Sequence, residues 1–237
     1  MQKKESMQKK LGVIGGLGTD TAAQFYVESE RFWHNHGEKN HIPLILENVQ
    51  SPFSLEQSLT KTMSRVDELR DFLCMAAKNL EHGGASLVVL PCNTAHVHIQ
   101  AVRDAIKIPM LSITEEMAKE LKRNQAQTTA ILGTRVTRES KIYDRDCDQQ
   151  GITAVYPDET DQLAVERVIQ RALSWTNTEE DTKSLLGVID RVKKAGADSV
   201  VLACTDLQLC MPKEPVERVF DSMKVLADAS VRELVTQ

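Results

Sequence analysis

Two cysteines, Cys92 and Cys204, end near-copies of one nine-residue segment. Gly84-Ala85-Ser86-Leu87-Val88-Val89-Leu90-Pro91-Cys92 aligns without a gap on Gly196-Ala197-Asp198-Ser199-Val200-Val201-Leu202-Ala203-Cys204, with six of nine columns identical. An apolar run of strand length precedes each cysteine. Asn93 and Thr94 follow the first; Thr205 and Asp206 follow the second. In open parallel sheets the carboxyl ends of the strands are where ligands bind. A helix starting after each cysteine would favour thiolate over thiol. The hydroxyl, amide and N–H groups there could hold a carboxylate. Two facing thiols suit inversion of a carbon that bears an acidic proton: one removes the proton from one face, the other returns a proton on the opposite face. A hydrogen-bonded carboxylate stabilises the enolate-like intermediate. The expected sulfur separation is about 7–9 Å, leaving each about 3–4 Å from the reacting carbon.

The other titratable residues suggest less chemistry. Cys74, Cys147 and Cys210 read as small buried hydrophobes, and the acidic stretch around Cys147 raises a thiol pKa. No CxxC pair is present, so no metal site is expected. His34, His36 and His41 resemble a loose metal cluster but are read as a solvated helix end. In the run Gly12 to Gly18, Thr21 stands where a nucleotide loop needs its third glycine. The run reads instead as a tight turn, with Gly16 bringing backbone N–H groups near a substrate. His96, one turn after Cys92, is a candidate for orienting a thiolate or substrate.

The elements that must position these groups alternate along the chain. Strands are expected at 11–14, 42–46, 86–90, 108–112, 128–132, 153–156, 200–202 and 218–220. Helices are expected at 21–33, 66–80, 95–106, 115–122, 139–150, 161–175, 180–195 and 222–235. Alternation implies parallel, doubly wound α/β sheets. The repeat implies two pseudo-twofold-related lobes with the site in the cleft between them. The expected division is 1–107 plus 216–237 against 108–215, with the strand-to-helix unit after each cysteine crossing to the other half. The 237 residues are 41% hydrophobic, 27% charged and only 4% aromatic, which excludes a disordered chain and calls for an aliphatic core. Net charge is −5, and the one basic cluster, Lys3, Lys4, Lys9 and Lys10, is too small for a nucleic-acid face. The polar start and the lack of a long apolar run predict a cytoplasmic protein without a membrane partner.

Several segments resemble the aspartate/glutamate racemase superfamily, most closely its aspartate racemase branch. They are Gly12-Val13-Ile14-Gly15-Gly16-Leu17-Gly18, Pro91-Cys92-Asn93-Thr94-Ala95-His96, Gly133-Thr134-Arg135-Val136-Thr137, Tyr156-Pro157-Asp158 and Ala203-Cys204-Thr205-Asp206-Leu207. The resemblance implies amino-acid racemisation with no cofactor, by a Cys92–Cys204 acid/base pair. Cys204 would serve the L-enantiomer and Cys92 the D-enantiomer. Asn93, Thr94, Thr134, Thr137 and Thr205 would bind the substrate. Asp206 stands where the family usually has Glu, or His in glutamate racemases. The family's Arg and Lys for a side-chain carboxylate align with Ser54 and Ser174, leaving Arg65 or Arg171 as substitutes. The expected partners are a small amino-acid or carboxylate substrate and a second copy of the chain in a homodimer. Glutamate or broad-specificity racemisation, hydantoin racemisation, maleate-type isomerisation and non-catalytic carboxylate binding are the alternatives.

Overall fold

Alternating apolar residues give each central strand two buried faces. The computed structural model describes residues 9–236, except 53, 56, 57, 59–61, 63 and 64. In β1 (Leu11–Gly15) and β3 (Leu87–Val89), Leu11, Val13, Leu87 and Val89 join one core, while Ile14 and Val88 join the core on the opposite face. In β4 (Thr128–Gly133) and β6 (Ser199–Ala203), Ala130, Leu132, Val200 and Leu202 face one core, and Ile131, Val201 and Ala203 the other. Each fully buried Leu, Ile or Val contributes about 1.5–3 kcal/mol.

Two parallel sheets result. The first has the order β2-β1-β3, with β2 at Leu44–Asn48, and is extended by a bridge from Val88 to Met110. The second has the order β5-β4-β6-β7, with β5 at Thr153–Val155 and β7 at Val219–Asp221. The two orders correspond position by position, so the sequence repeat is also a repeat of topology. Gly84 and Gly196 lead into β3 and β6 with φ +86 and +110, and a Cβ on either would meet open space. What glycine supplies at both is the left-handed backbone that ends the preceding helix.

Nine α-helices among the described residues cover the sheets: α1 (Thr19–Asn35), α2 (Leu69–His82), α3 (Ile99–Ala105), α4 (Ile113–Arg123), α5 (Arg135–Glu139), α6 (Asp144–Gln149), α7 (Glu159–Leu173), α8 (Glu179–Lys194) and α9 (Ser222–Val235). The helix expected over 139–150 is broken, because Lys141 takes a left-handed φ of 48 between α5 and α6. The strand expected over 108–112 shrinks to the Met110 bridge, around which Val88 donates to Pro109 O and Leu111 donates to Val88 O.

Each strand just after an expected cut pairs with the sheet that precedes it in the chain. Met110 pairs in the first sheet, and β7 pairs with β6 in the second. The helices after these strands then exchange. Met117 and Leu121 of α4 pack in the core of Val201 and Ala203, while Met223, Leu226 and Val231 of α9 pack with Leu11 and Val13. No described helix is long and apolar enough to cross a membrane.

Candidate active site

The strand ends β3 and β6 deliver their cysteines to one cavity. It is lined by Cys92, Asn93 and Thr94 from one half, Cys204, Thr205 and Asp206 from the other, and Leu17, Gly18, Thr134 and Leu173. The unfilled space between these residues is small and partly open to solvent. Five groups named from sequence as substrate contacts thus line it with both thiols: Asn93, Thr94, Thr134, Thr205 and Asp206. None of the five cysteines is joined in a disulfide.

Cys204 is buried, and its Sγ donates to Asp206 Oδ2 at 3.6 Å. Thr21 Oγ1 donates to the other carboxylate oxygen at 3.3 Å. Burial pushes the Cys204 thiol well above its ordinary pKa; the charges of Asp206 and of a Cys92 thiolate push the same way. This reverses the expectation that a helix start would favour thiolate there. The helix start is itself absent. Only a 3-10 turn, Leu207–Cys210, follows Cys204, and a 3-10 segment, Thr94–His98, separates Cys92 from α3. Such short turns align too few peptide dipoles to offset desolvation. A charge on Cys92 adds a smaller push to the burial and the Asp206 charge that keep Cys204 protonated. Burial also raises the Asp206 carboxyl, against the lowering contacts from Cys204 and Thr21.

Hydroxyl groups from both halves meet beside the thiols. Thr94 Oγ1 and Thr134 Oγ1 are 2.8 Å apart; Thr137 Oγ1 lies 3.4 Å from the first and 3.1 Å from the second. Thr134 caps α5 by accepting from Thr137 N–H. Thr137 is fully buried behind this pair and does not line the cavity, so it orients the hydroxyls that do. Asn93 is held on both ends of its amide. Tyr143 donates to its Oδ1 at 2.5 Å, and its Nδ2 donates to Ser222 Oγ at 2.9 Å. Ser222 in turn donates to Leu202 O. Burial raises the Tyr143 phenol far up, so it stays a donor.

His96 and Gly16 lie outside the cavity lining. His96 Nδ1 contacts Cys92 O at 2.8 Å, and its Nε2 accepts from Ile113 N–H at 3.0 Å. A carbonyl only accepts, so Nδ1 carries the hydrogen and the ring is neutral. Burial lowers its pKa to about 4. Its two bonds fasten the Cys92 backbone to the start of α4, and no ring nitrogen is left for substrate. Gly16 has φ +83, and a Cβ there would sit 2.8 Å from Val49 N; it serves the packing of β1 against the chain after β2. Gly18 takes the lining position instead.

The cationic substitutes are engaged elsewhere. Ser54 and Ser174 are exposed and do not line the cavity. Arg65 forms a two-point contact with Glu68, Arg171 pairs with Asp181, and Arg135, next to Thr134, pairs with Glu159 and Glu166. No Lys or Arg lines the cavity among the described residues. Sequence reasoning missed Leu17, Leu173, Thr21, Tyr143 and Ser222. The flanking glycines could have flagged Leu17 as the tip of a tight turn; the others act through contacts far apart in sequence.

The profile of the family described as Asp/Glu/Hydantoin racemase matches residues 14–230. A broad specificity amino-acid racemase, RacX, of Bacillus subtilis is 28% identical over 226 residues, covering 93% of this chain and 96% of its own. A putative Asp/Glu racemase from Yersinia pestis superposes with a TM-score of 0.83 at 26% identity, covering 96% of this chain and 99% of its own. An aspartate racemase homologue from Pyrococcus horikoshii shares the fold, with a TM-score of 0.75 at 24% identity and coverage of 96% and 98%.

Proposed function

The chain belongs to the Asp/Glu/hydantoin racemase family, and we propose that it inverts Cα of free amino acids with Cys92 and Cys204 as a two-base pair, using no cofactor. The observation that carries this reading is that equivalent strand ends of two corresponding sheets bring one thiol each to a single cavity. One sulfur, as thiolate, takes the Cα proton; the other, as thiol, delivers a proton to the opposite face. Asp206 lies where it can receive the Cys204 proton when that sulfur is to act as base, and its carboxylate suits a substrate ammonium group. That second role favours amino acids over hydantoins and maleate, which carry no ammonium. The Thr94 and Thr134 hydroxyls, with the backbone N–H groups after each cysteine, suit the α-carboxylate. Asn93 fixes the strand end on which Cys92 sits.

The side chain of the substrate is a finer matter. Aspartate is what the sequence resemblance implies. A second carboxylate would meet Leu17, Leu173 and Asp206 and no described cation; Lys61 lies outside the described residues. This lining favours neutral amino acids over aspartate, in keeping with the broad specificity named for the Bacillus relative. The test is a screen of L- and D-amino acids in deuterated water, reading Cα exchange by NMR. Exchange is expected with neutral amino acids, faster than with aspartate. Exchange confined to aspartate would overturn the neutral preference, and exchange with no amino acid would overturn the racemase reading. The expected homodimer and cytoplasmic location stay part of this proposal; light scattering of the purified chain checks the first.

A further inference from the structure

Away from the cleft, the far end of α1 gathers three metal-ligating side chains that the racemase chemistry does not use. Glu30 and His34 are four residues apart, on one face of α1, and His41 comes from the segment that leads into β2. Their ligand atoms all lie within 4.8 Å of one another. His41 Nδ1 is 3.1 Å from Glu30 Oε1, and His34 Nε2 is 3.7 Å from Glu30 Oε2. Tetrahedral ligation at about 2.0–2.2 Å separates ligand atoms by roughly 3.3–3.6 Å; each imidazole is near that spacing from one Glu30 oxygen, His41 from Oε1 and His34 from Oε2, so closing both on a single oxygen takes a shift of one exposed ring. The two exposed imidazoles have room to close the third edge.

An independent feature is the support behind the ligands. His34 Nδ1 lies 3.0 Å from Glu38 O. Because a carbonyl only accepts, a hydrogen is on Nδ1, which leaves Nε2, turned toward Glu30, as the ligating nitrogen. Metal-binding histidines are oriented by this same device, a ring N–H given to a backbone carbonyl. Glu30 is mostly buried and is held by Tyr26 Oη at 3.1 Å and Ile42 N at 3.4 Å. A preset carboxylate between two imidazoles, one with a fixed tautomer, is more than the solvated helix end expected from sequence.

We propose that Glu30, His34 and His41 form a binding site for a divalent transition-metal ion, with water completing its coordination. The two-histidine, one-carboxylate set suits Zn²⁺, Ni²⁺ or Cu²⁺ and is a poor match for Mg²⁺ or Ca²⁺, which take oxygen ligands. Binding at His41 Nδ1 moves that ring's hydrogen to Nε2, which faces solvent, so the neutral ring needs no net proton loss. The ion ties the end of α1 to the start of β2, at the opposite end of α1 from Gly18 and the cavity, and acts as a structural clamp.

The test is calorimetric titration of the untagged chain with Ni²⁺, beside the His34→Gln and His41→Gln variants. All three proteins keep the five cysteines, so thiol binding cancels in the comparison. Near-UV circular dichroism checks that the variants are folded. The expected result is one saturable ion per chain, weakened roughly tenfold or more by either substitution, and a Ni²⁺-dependent rise in Tm seen only in the parent. Titration with Mg²⁺ should give no such site. Ni²⁺ binding equal in the parent and both folded variants, or no saturable binding to the parent, would overturn the proposal.

Discussion

At Cys204, burial and the Asp206 charge both work against the thiolate, and this governs how the residue can act. The sign follows directly. Fewer Cys204 sulfurs are ionised at a given pH than for an ordinary thiol, so in the proposed mechanism Cys204 acts as base either by passing its proton to Asp206 or at a pH above the ordinary thiol range. Asp206→Asn removes the charge and keeps the burial. The Cys204 thiolate absorbance, isolated by subtracting the Cys204→Ala variant, is expected to appear at lower pH in Asp206→Asn than in the parent; an unmoved titration would contradict the electrostatic account. His96 gives a second prediction. Its folded-state pKa of about 4 lies below the ordinary 6.5, so the unfolded chain binds the proton first as pH falls. Stability from this group is intact above pH 6.5 and is lost between about 6.5 and 4, by about 3 kcal/mol in all. His96→Gln should be less stable at neutral pH, with a shallower fall in Tm over that window. An equally steep fall would place the acid sensitivity elsewhere. That both cysteines reach one cavity was legible in sequence because each repeat carries its strand and its cysteine together. The role of His96 was not: it depends on Ile113 N–H, which only the fold brings near.

Among the elements, the strand repeat was legible because alternating apolar residues encode two buried faces, and α9 matches the expected 222–235. The short turns after both cysteines were not legible, since propensity does not distinguish a 3-10 turn from the first turn of an α-helix. The same limit applies to how α6 and α9 meet the site. Tyr143, at the start of α6, and Ser222, at the start of α9, hold Asn93 from positions 50 and 129 residues away. Tyr143→Phe leaves Asn93 Oδ1 buried without this donor, which costs about 1–3 kcal/mol. Thermal unfolding should show a Tm lower by several degrees. Racemisation should fall too, because Cys92 loses the neighbour that fixes its strand end. An unchanged Tm would remove the clamp role.

For the whole molecule, the exchanged helices α4 and α9 pack against each other and bind each sheet to a helix from the other half of the chain. We therefore place the lobe division near 111/112 and 221/222. Two chain crossings form a natural hinge for closure on a ligand. Across the cleft, Trp175, 68% exposed, donates through Nε1 to Asp20 in the first turn of α1. The only other tryptophan, Trp33, is buried. Closure should therefore change Trp175 fluorescence: Trp33→Phe should keep a substrate-dependent signal, and Trp175→Phe should lose it. The reverse pattern would contradict closure at this contact.

The claim on which everything else depends is that two sulfurs act on opposite faces of one carbon. It is tested most directly by Cα deuterium incorporation in Cys92→Ala and Cys204→Ala, each given the separate enantiomers of an amino acid the parent racemises. Each variant is expected to lose racemisation by about 10²–10⁴-fold or more. Each should retain Cα exchange with one enantiomer only, the two variants keeping opposite ones: Cys92→Ala the L-form and Cys204→Ala the D-form. Undiminished racemisation in either single variant would contradict the two-base account.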